Sequence, residues 1–369
     1  MKGLAWLLIL SFLVSCSSKK QYMLVGTYTS GKSKGIYVYE FDSKEQAATL
    51  VDSVITPNPS YLAISPNQEY VYAVNENDAA SGGGKVTAFS FDKSNGNLEE
   101  INQQGTLGDH PCYITVDETG KWIIAGNYSS GSISILQANG DGSLSNRVSV
   151  IQHTGQGKDS NRQRSPHVHA TVLSPDNKFL YVPDLGIDKV MIYGFDEKAG
   201  VLNPTKDTAW VQDGSGPRHF TFHPSGNYAY LVQELSGTIT AFKYVGGKLE
   251  AMQIISSLPG DYRGPISGAD IHVAPGGKFL YASNRDTSNT IAIFSIDGAT
   301  GKISLVGHQS TLGRTPRNFS IHPSGDFLMV ANQNSDSIVI FSIDKNTGLL
   351  TDTGKRIDVG NPVCIKWIE

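Results

Sequence analysis

The chain is short of cysteine, short of charge and without long apolar segments, and each shortage removes a class of protein. Only 17% of its 369 residues are charged, and 30 basic against 34 acidic residues give a formal net charge of -4 with the signs mixed. No basic stripe exists for a nucleic acid to follow. Of the three cysteines, Cys112 and Cys364 stand in repeats that are not neighbours, so no disulfide is expected between them. Each reads as a small buried residue rather than a nucleophile. There is no Gly-rich phosphate loop at a strand–helix junction, no serine nucleophile elbow and no dinucleotide fingerprint.

The apolar run Leu4–Val14, interrupted by Ser11, is too short to cross a bilayer as a mature helix. Lys2 gives it a positive start and Leu13-Val14-Ser15-Cys16 ends it, which is the layout of a secretory signal. The ending resembles a bacterial lipobox, in which Cys16 is lipidated and becomes the new N-terminus. The expectation is a signal and tether over residues 1–20, and a single domain over residues 21–369. Export to the bacterial envelope follows, facing the periplasm, with membrane contact only through the lipid.

What is abundant is turn chemistry and repetition. The 39 glycines and 16 prolines punctuate short runs rich in tyrosine, phenylalanine and β-branched residues, the pattern of an all-β chain. Ser215–Leu235, SGPRHFTFHPSGNYAYLVQEL, contains a strand around Phe220, a turn at His223-Pro224-Ser225-Gly226, and a second strand ending at Gln233-Glu234. Variants recur at Asn58–Asn77 and Thr315–Asn334. Aligning the copies places the first residue of each unit at Pro59, Pro111, Val168, Pro217, Gly268, Pro316 and Pro362, with spacings of 52, 57, 49, 51, 48 and 46 residues. That is the period of a four-stranded propeller blade, and seven starts predict a seven-bladed β-propeller. The last copy has room for an inner strand only. The matching second and third strands are Tyr22–Thr27 and Gly35–Phe41, so one blade is built from both chain ends and closes the ring.

The repeat is also an internal control: polar residues found at one register in only some copies need a reason other than blade architecture. The inner-strand starts meet at one mouth of the central channel. His167, His169, Arg218, Glu234, Asp270, Arg285 and Arg317 are expected to gather there. Three arginines around one opening make an anion site, because guanidinium forks match carboxylate or phosphate oxygens. A histidine and a glutamate beside them can move a proton or activate water. His167 and His169, two apart on a strand, share a face and could reach one metal. No further ligand set stands out, so no metal is expected. His223 and His322 precede the turn prolines and read as turn caps.

The Gly/Thr-Pro-Arg-[His/Asn]-Phe starts, the His-Pro-Ser-Gly turns, Tyr-Val-Tyr-Ala-Val-Asn-Glu at Tyr70–Glu76 and SPHVHATVLSPDNKFLYVPDLG at Ser165–Gly186 resemble the seven-bladed lactonase propellers. That family includes bacterial 6-phosphogluconolactonases and fungal carboxy-cis,cis-muconate cyclases. The resemblance covers Tyr22–Glu369. It implies catalysis by His169, Arg218 and Glu234, with Arg285 and a neighbouring His167 binding substrate, and no cofactor or metal. The implied reaction is hydrolysis of an anionic sugar lactone, with 6-phospho-D-glucono-1,5-lactone the best single guess. Arg218 would stabilise the carbonyl oxygen, Arg285 and Arg317 would face the anionic group, and Glu234 or His169 would take the proton of the attacking water. The alternatives are an exported, non-catalytic propeller that binds a carbohydrate or protein, and a muconate cyclase-type enzyme.

Overall fold

Alternating apolar residues make strands, and glycine-bearing turns space them so that each group of four pairs only with itself. The computed structural model describes residues 20–369 and contains seven four-stranded antiparallel sheets. In the unit read first, Pro217–Phe222, Tyr228–Gln233, Thr238–Val245 and Lys248–Ser256 run in order from the channel outward. The closing blade has the order Pro362–Ile368, Gln21–Thr27, Gly35–Asp42 and Ala47–Ile55. The C-terminal strand pairs with the N-terminal one from Tyr22↔Ile368 to Thr27↔Pro362, so the ring is closed as expected. The blades are numbered I to VI from Leu62–Ile64 onward, and the closing blade is VII. The signal, the tether to residue 19 and Cys16 lie outside the described residues.

Side chains between adjacent sheets form the core, and a repeated device sets the blade spacing. Tyr72, Tyr181, Tyr230 and Tyr281 donate from their buried hydroxyls to the carbonyls of Gly142, Gly247, Gly301 and Gly348 on the next blade's outer hairpin. Glycine is required there twice over: Gly301 has φ +70°, and a Cβ would overlap the Tyr228 ring. Cys112 and Cys364 are buried free thiols. His223 and His322 cap their turns through Ser225 and Ser324 and reach Gly277 O and Gln21 Oε1 with the other ring nitrogen.

Two local rules aim side chains into the channel. The N–H of the residue after each of five second strands donates to the carbonyl of the residue before the inner strand of the same blade: Tyr28 to Asn361, Glu76 to Asn58, Tyr128 to His110, Glu234 to Gly216 and Arg285 to Ser267. The pairing also slips by one residue just inside the mouth. Pro217 pairs with Gln233 but His219 with Val232, and Pro316 pairs with Asn332 but Asn318 with Ala331. Arg218 and Arg317 are thus the extra residues of β-bulges. A bulge breaks the period-two alternation, so consecutive side chains serve two successive layers of the channel.

Blade III departs from this pattern. Its inner strand is reduced to Val172–Leu173 plus an isolated bridge at Val168↔Asp184, so His167 and His169 sit on an irregular segment and not on the regular strand expected.

Candidate active site

The upper layer encloses a cavity of about 230 Å³. Second-strand ends supply Tyr28, Glu76, Tyr128, Glu234 and Arg285, inner strands supply Cys112 and Arg317, and the irregular segment of blade III supplies His169. Buried amides hold the supporting strand ends in place. Asn75 Nδ2 donates to Thr56 Oγ1 (2.8 Å) and Pro57 O (2.7 Å), fixing the approach to Glu76. Gln233 Nε2 donates to Thr240 Oγ1 (2.8 Å), immediately before Glu234.

Glu234 is the electrostatic centre of this layer. Its Oε2 accepts from Arg218 Nε (3.1 Å) and forms an ion pair with an Arg285 terminal nitrogen (2.8 Å), while Oε1 accepts from Arg162 (2.6 Å). Burial pushes this carboxyl up, but Arg285, Arg218 and Arg162 outweigh it and hold the group down at about 2. Arg218, only 1% exposed, also donates to Ala269 O. Burial, with Arg285 and Arg317 nearby, lowers its pKa to about 10, which still leaves it charged at neutral pH.

His169 is buried beside Cys112, with Nδ1 3.7 Å from Sγ. Burial first, then Arg218, His219 and Arg317, drive its pKa well below the usual imidazole value, so the ring is neutral. Burial pushes the Cys112 thiol up, which argues against a thiolate nucleophile. Arg317 lies over the Tyr28 ring, 5.3 Å from its centroid. Among the described residues no carboxylate comes within ion-pairing distance of it. Three guanidiniums on the cavity wall (Arg162, Arg285, Arg317) and Arg218 behind Glu234, against two carboxylates (Glu76, Glu234), leave an excess of positive charge at the cavity.

The geometry brings together His169, Arg218, Glu234, Arg285 and Arg317, five of the seven residues expected at the mouth. Asp270 is not among them. It stands one position past the bulge, in the layer below, where Oδ1 bonds His219 Nδ1 (2.7 Å) and Oδ2 bonds His272 Nε2 (2.9 Å) and accepts from Asn318. His167 does not line the cavity either. It stacks on Tyr128, with ring centroids 4.6 Å apart, while His169 meets the same ring edge-on. The two imidazoles therefore flank a tyrosine instead of converging on one point.

Five lining residues lay outside the sequence-based expectation: Cys112 and Tyr128, which frame His169, and three polar contributors, Glu76, Tyr28 and Arg162. Glu76 occupies the same register as Glu234 in another blade, a signal the repeat carried. Tyr28 follows the strand that the N-terminus lends to the closing blade. Arg162 comes from the linker before blade III, whose one trace in the sequence is the longest repeat spacing, 57 residues. That linker is firmly held: Gln163 is buried and donates to Leu185 O (2.8 Å) and Asp188 Oδ1 (2.7 Å), and His153 Nδ1 bonds Asp184 at 2.6 Å.

A family model described as a lactonase, 7-bladed beta-propeller, matches residues 22–367. The chain belongs to the seven-bladed β-propeller lactonase family. It is 36% identical over 348 residues to a Bacillus subtilis 6-phosphogluconolactonase, covering 94% of this chain and 97% of that protein. It is 39% identical over 338 residues to a 6-phosphogluconolactonase of Formosa agariphila, covering 89% of this chain and 94% of the relative. The solved structure of a periplasmic gluconolactonase from Pseudomonas aeruginosa superposes with a TM-score of 0.90 at 36% identity, covering 95% of this chain and 99% of that one. Membership accounts for the shared blade count.

Proposed function

We propose that this lactonase-family protein hydrolyses an anionic sugar lactone in the upper channel cavity, with 6-phospho-D-glucono-1,5-lactone the leading candidate. The observation that carries this reading is the group of four guanidiniums, three of them on Glu234 and the fourth, Arg317, without an ion pair among the described residues. Arg317 and Arg285 receive the phosphate or carboxylate of the substrate. The Arg218–Glu234–Arg285 group presents fixed positive charge to the lactone carbonyl oxygen as it becomes an oxyanion. Glu234 holds these guanidiniums in place, and neutral His169 orients the attacking water. Water adds to the carbonyl carbon, the ring C–O bond breaks, and the acid is released with a free hydroxyl where the ring was closed.

Export belongs to the same reading. It is supported by the Leu4–Cys16 signal pattern and by the likeness to a protein described as periplasmic. An exported enzyme meets few phosphorylated sugar lactones, so unphosphorylated and uronic lactones belong in the assay beside the phosphorylated one. Cys16 is the proposed lipid attachment point.

The test is hydrolysis of freshly generated lactones by the purified protein, counted only as the excess over spontaneous opening in buffer. A clear excess is expected, reduced by about 10²–10³ in kcat by Arg218→Ala. No excess on any lactone would refute the hydrolytic reading and leave the non-catalytic binding propeller.

A further inference from the structure

The proposed reaction needs a group that removes a proton from water, and the charges around the cavity single one out. Glu234 is ill suited, because both its oxygens are taken by three guanidiniums. A carboxylate stabilised in that way has little tendency to accept a proton. His169 is neutral, but a buried imidazole beside several arginines resists becoming a cation for the same reason.

Glu76 lines the same cavity from blade I under different conditions. Its Oε2 accepts one hydrogen bond, from the Tyr28 hydroxyl at 2.8 Å. Among the described residues no arginine, lysine or histidine comes within ion-pairing distance of it, Arg317 being the charged group that faces it across the cavity, and no hydrogen bond from a side chain reaches Oε1. The Glu76 backbone N–H is fixed to Asn58 O at 3.0 Å, so the carboxylate is carried on a rigid strand end. Tyr28 can act only as a donor here, since burial, opposed by Arg317 but reinforced by Glu76, raises its phenol well above the usual value.

We propose that Glu76 is the general base of the lactonase reaction, oriented by Tyr28, and that Glu234, its equivalent in blade IV, is a positioning residue for the arginines. This rests on the hydrolytic reading above. Glu76 takes one proton from a water while that water's oxygen forms a bond to the lactone carbonyl carbon. The carbonyl π pair moves onto its oxygen, which faces the arginines. When the tetrahedral intermediate collapses, the ring C–O bond breaks with its electron pair going to the ring oxygen. That oxygen takes back the proton held by Glu76. The products are a carboxylic acid and an alcohol, and the acid then ionises into bulk water.

The experiment is a set of pH–rate profiles on 6-phosphoglucono-1,5-lactone and glucono-1,5-lactone, for the unaltered protein, Glu76→Gln and Tyr28→Phe. Glu76→Gln should lose at least about 10² in kcat and the acidic limb of the profile, with KM within about threefold. Tyr28→Phe removes the one side-chain donor on the ionised carboxylate, so the acidic limb should move up in pH. An active parent whose Glu76→Gln variant keeps its rate and acidic limb would overturn the assignment of the base alone. A parent with no excess hydrolysis would instead overturn the lactonase reading, and this proposal with it. If Glu76→Gln does not fold, Tyr28→Phe decides: a shifted limb supports Glu76, and an unmoved limb overturns it.

Discussion

The two layers of the channel lie one residue apart along the inner strands and treat charge in opposite ways. In the lower layer, Asp270 is 1% exposed and fully engaged by His219 from blade IV, His272 from its own strand and Asn318 from blade VI. Asn318 Oδ1 in turn accepts from Ile365 N–H of blade VII at 2.8 Å, so this belt ties four consecutive blades together. In the upper layer positive charge is in excess, and Arg317 faces the cavity with an aromatic ring beneath it but no counter-ion among the described residues. Buried charge that is completely paired holds a structure in one arrangement. Charge left over in a concave site is available to a ligand. The β-bulge separates these uses by sending neighbouring side chains to different depths.

The comparison breaks most visibly at Asp270. Asp270→Ala strands the buried His219 imidazole and Asn318 amide, leaves the partly exposed His272 without its partner, and should cost about 3–5 kcal/mol of stability, read as a lower urea midpoint. A loss under about 1 kcal/mol would mean that the lower layer is not the structural belt described.

A smaller effect sharpens the same contrast through pH. Burial, reinforced by Arg218 and opposed by Asp270, holds His219 at about 3, below the ordinary value of 6.5. Between those two pH values the unfolded chain binds a proton that the folded chain does not. Stability contributed by the neutral ring is therefore present above 6.5 and lost as pH falls toward 3, by up to about 1.4 kcal/mol per pH unit. Glu234, held at about 2, adds a further loss between its ordinary 4.5 and that value. Urea unfolding at stepped pH should show the decline beginning below 6.5 in the parent, with a shallower slope in His219→Gln. An identical slope in the variant would remove His219 from the account.

Much of this was legible because the chain repeats itself. Seven starts gave the blade number. The truncated seventh copy gave the closure, and the odd polar residues at the inner-strand starts gave Arg218, Arg317 and His169. Asp270 was placed a layer too high because a bulge shifts the phase of a strand by one residue, and simple alternation carries no sign of it. Arg162 was missed because it lies in a linker that no other blade matches, so the repeat offered no register for it. Glu76 was visible at the position equivalent to Glu234. The difference between them, three guanidiniums on one and a tyrosine hydroxyl on the other, exists only once the ring has closed.

The most direct test of the claim that the upper layer's surplus charge serves a substrate is kcat/KM for 6-phosphoglucono-1,5-lactone relative to glucono-1,5-lactone, in the parent and in Arg317→Ala. The parent should prefer the phosphorylated lactone. Arg317→Ala should lose about 10² of that preference while its urea midpoint stays within about 1 kcal/mol of the parent. A preference that survives the substitution, or none in the parent, would contradict the account.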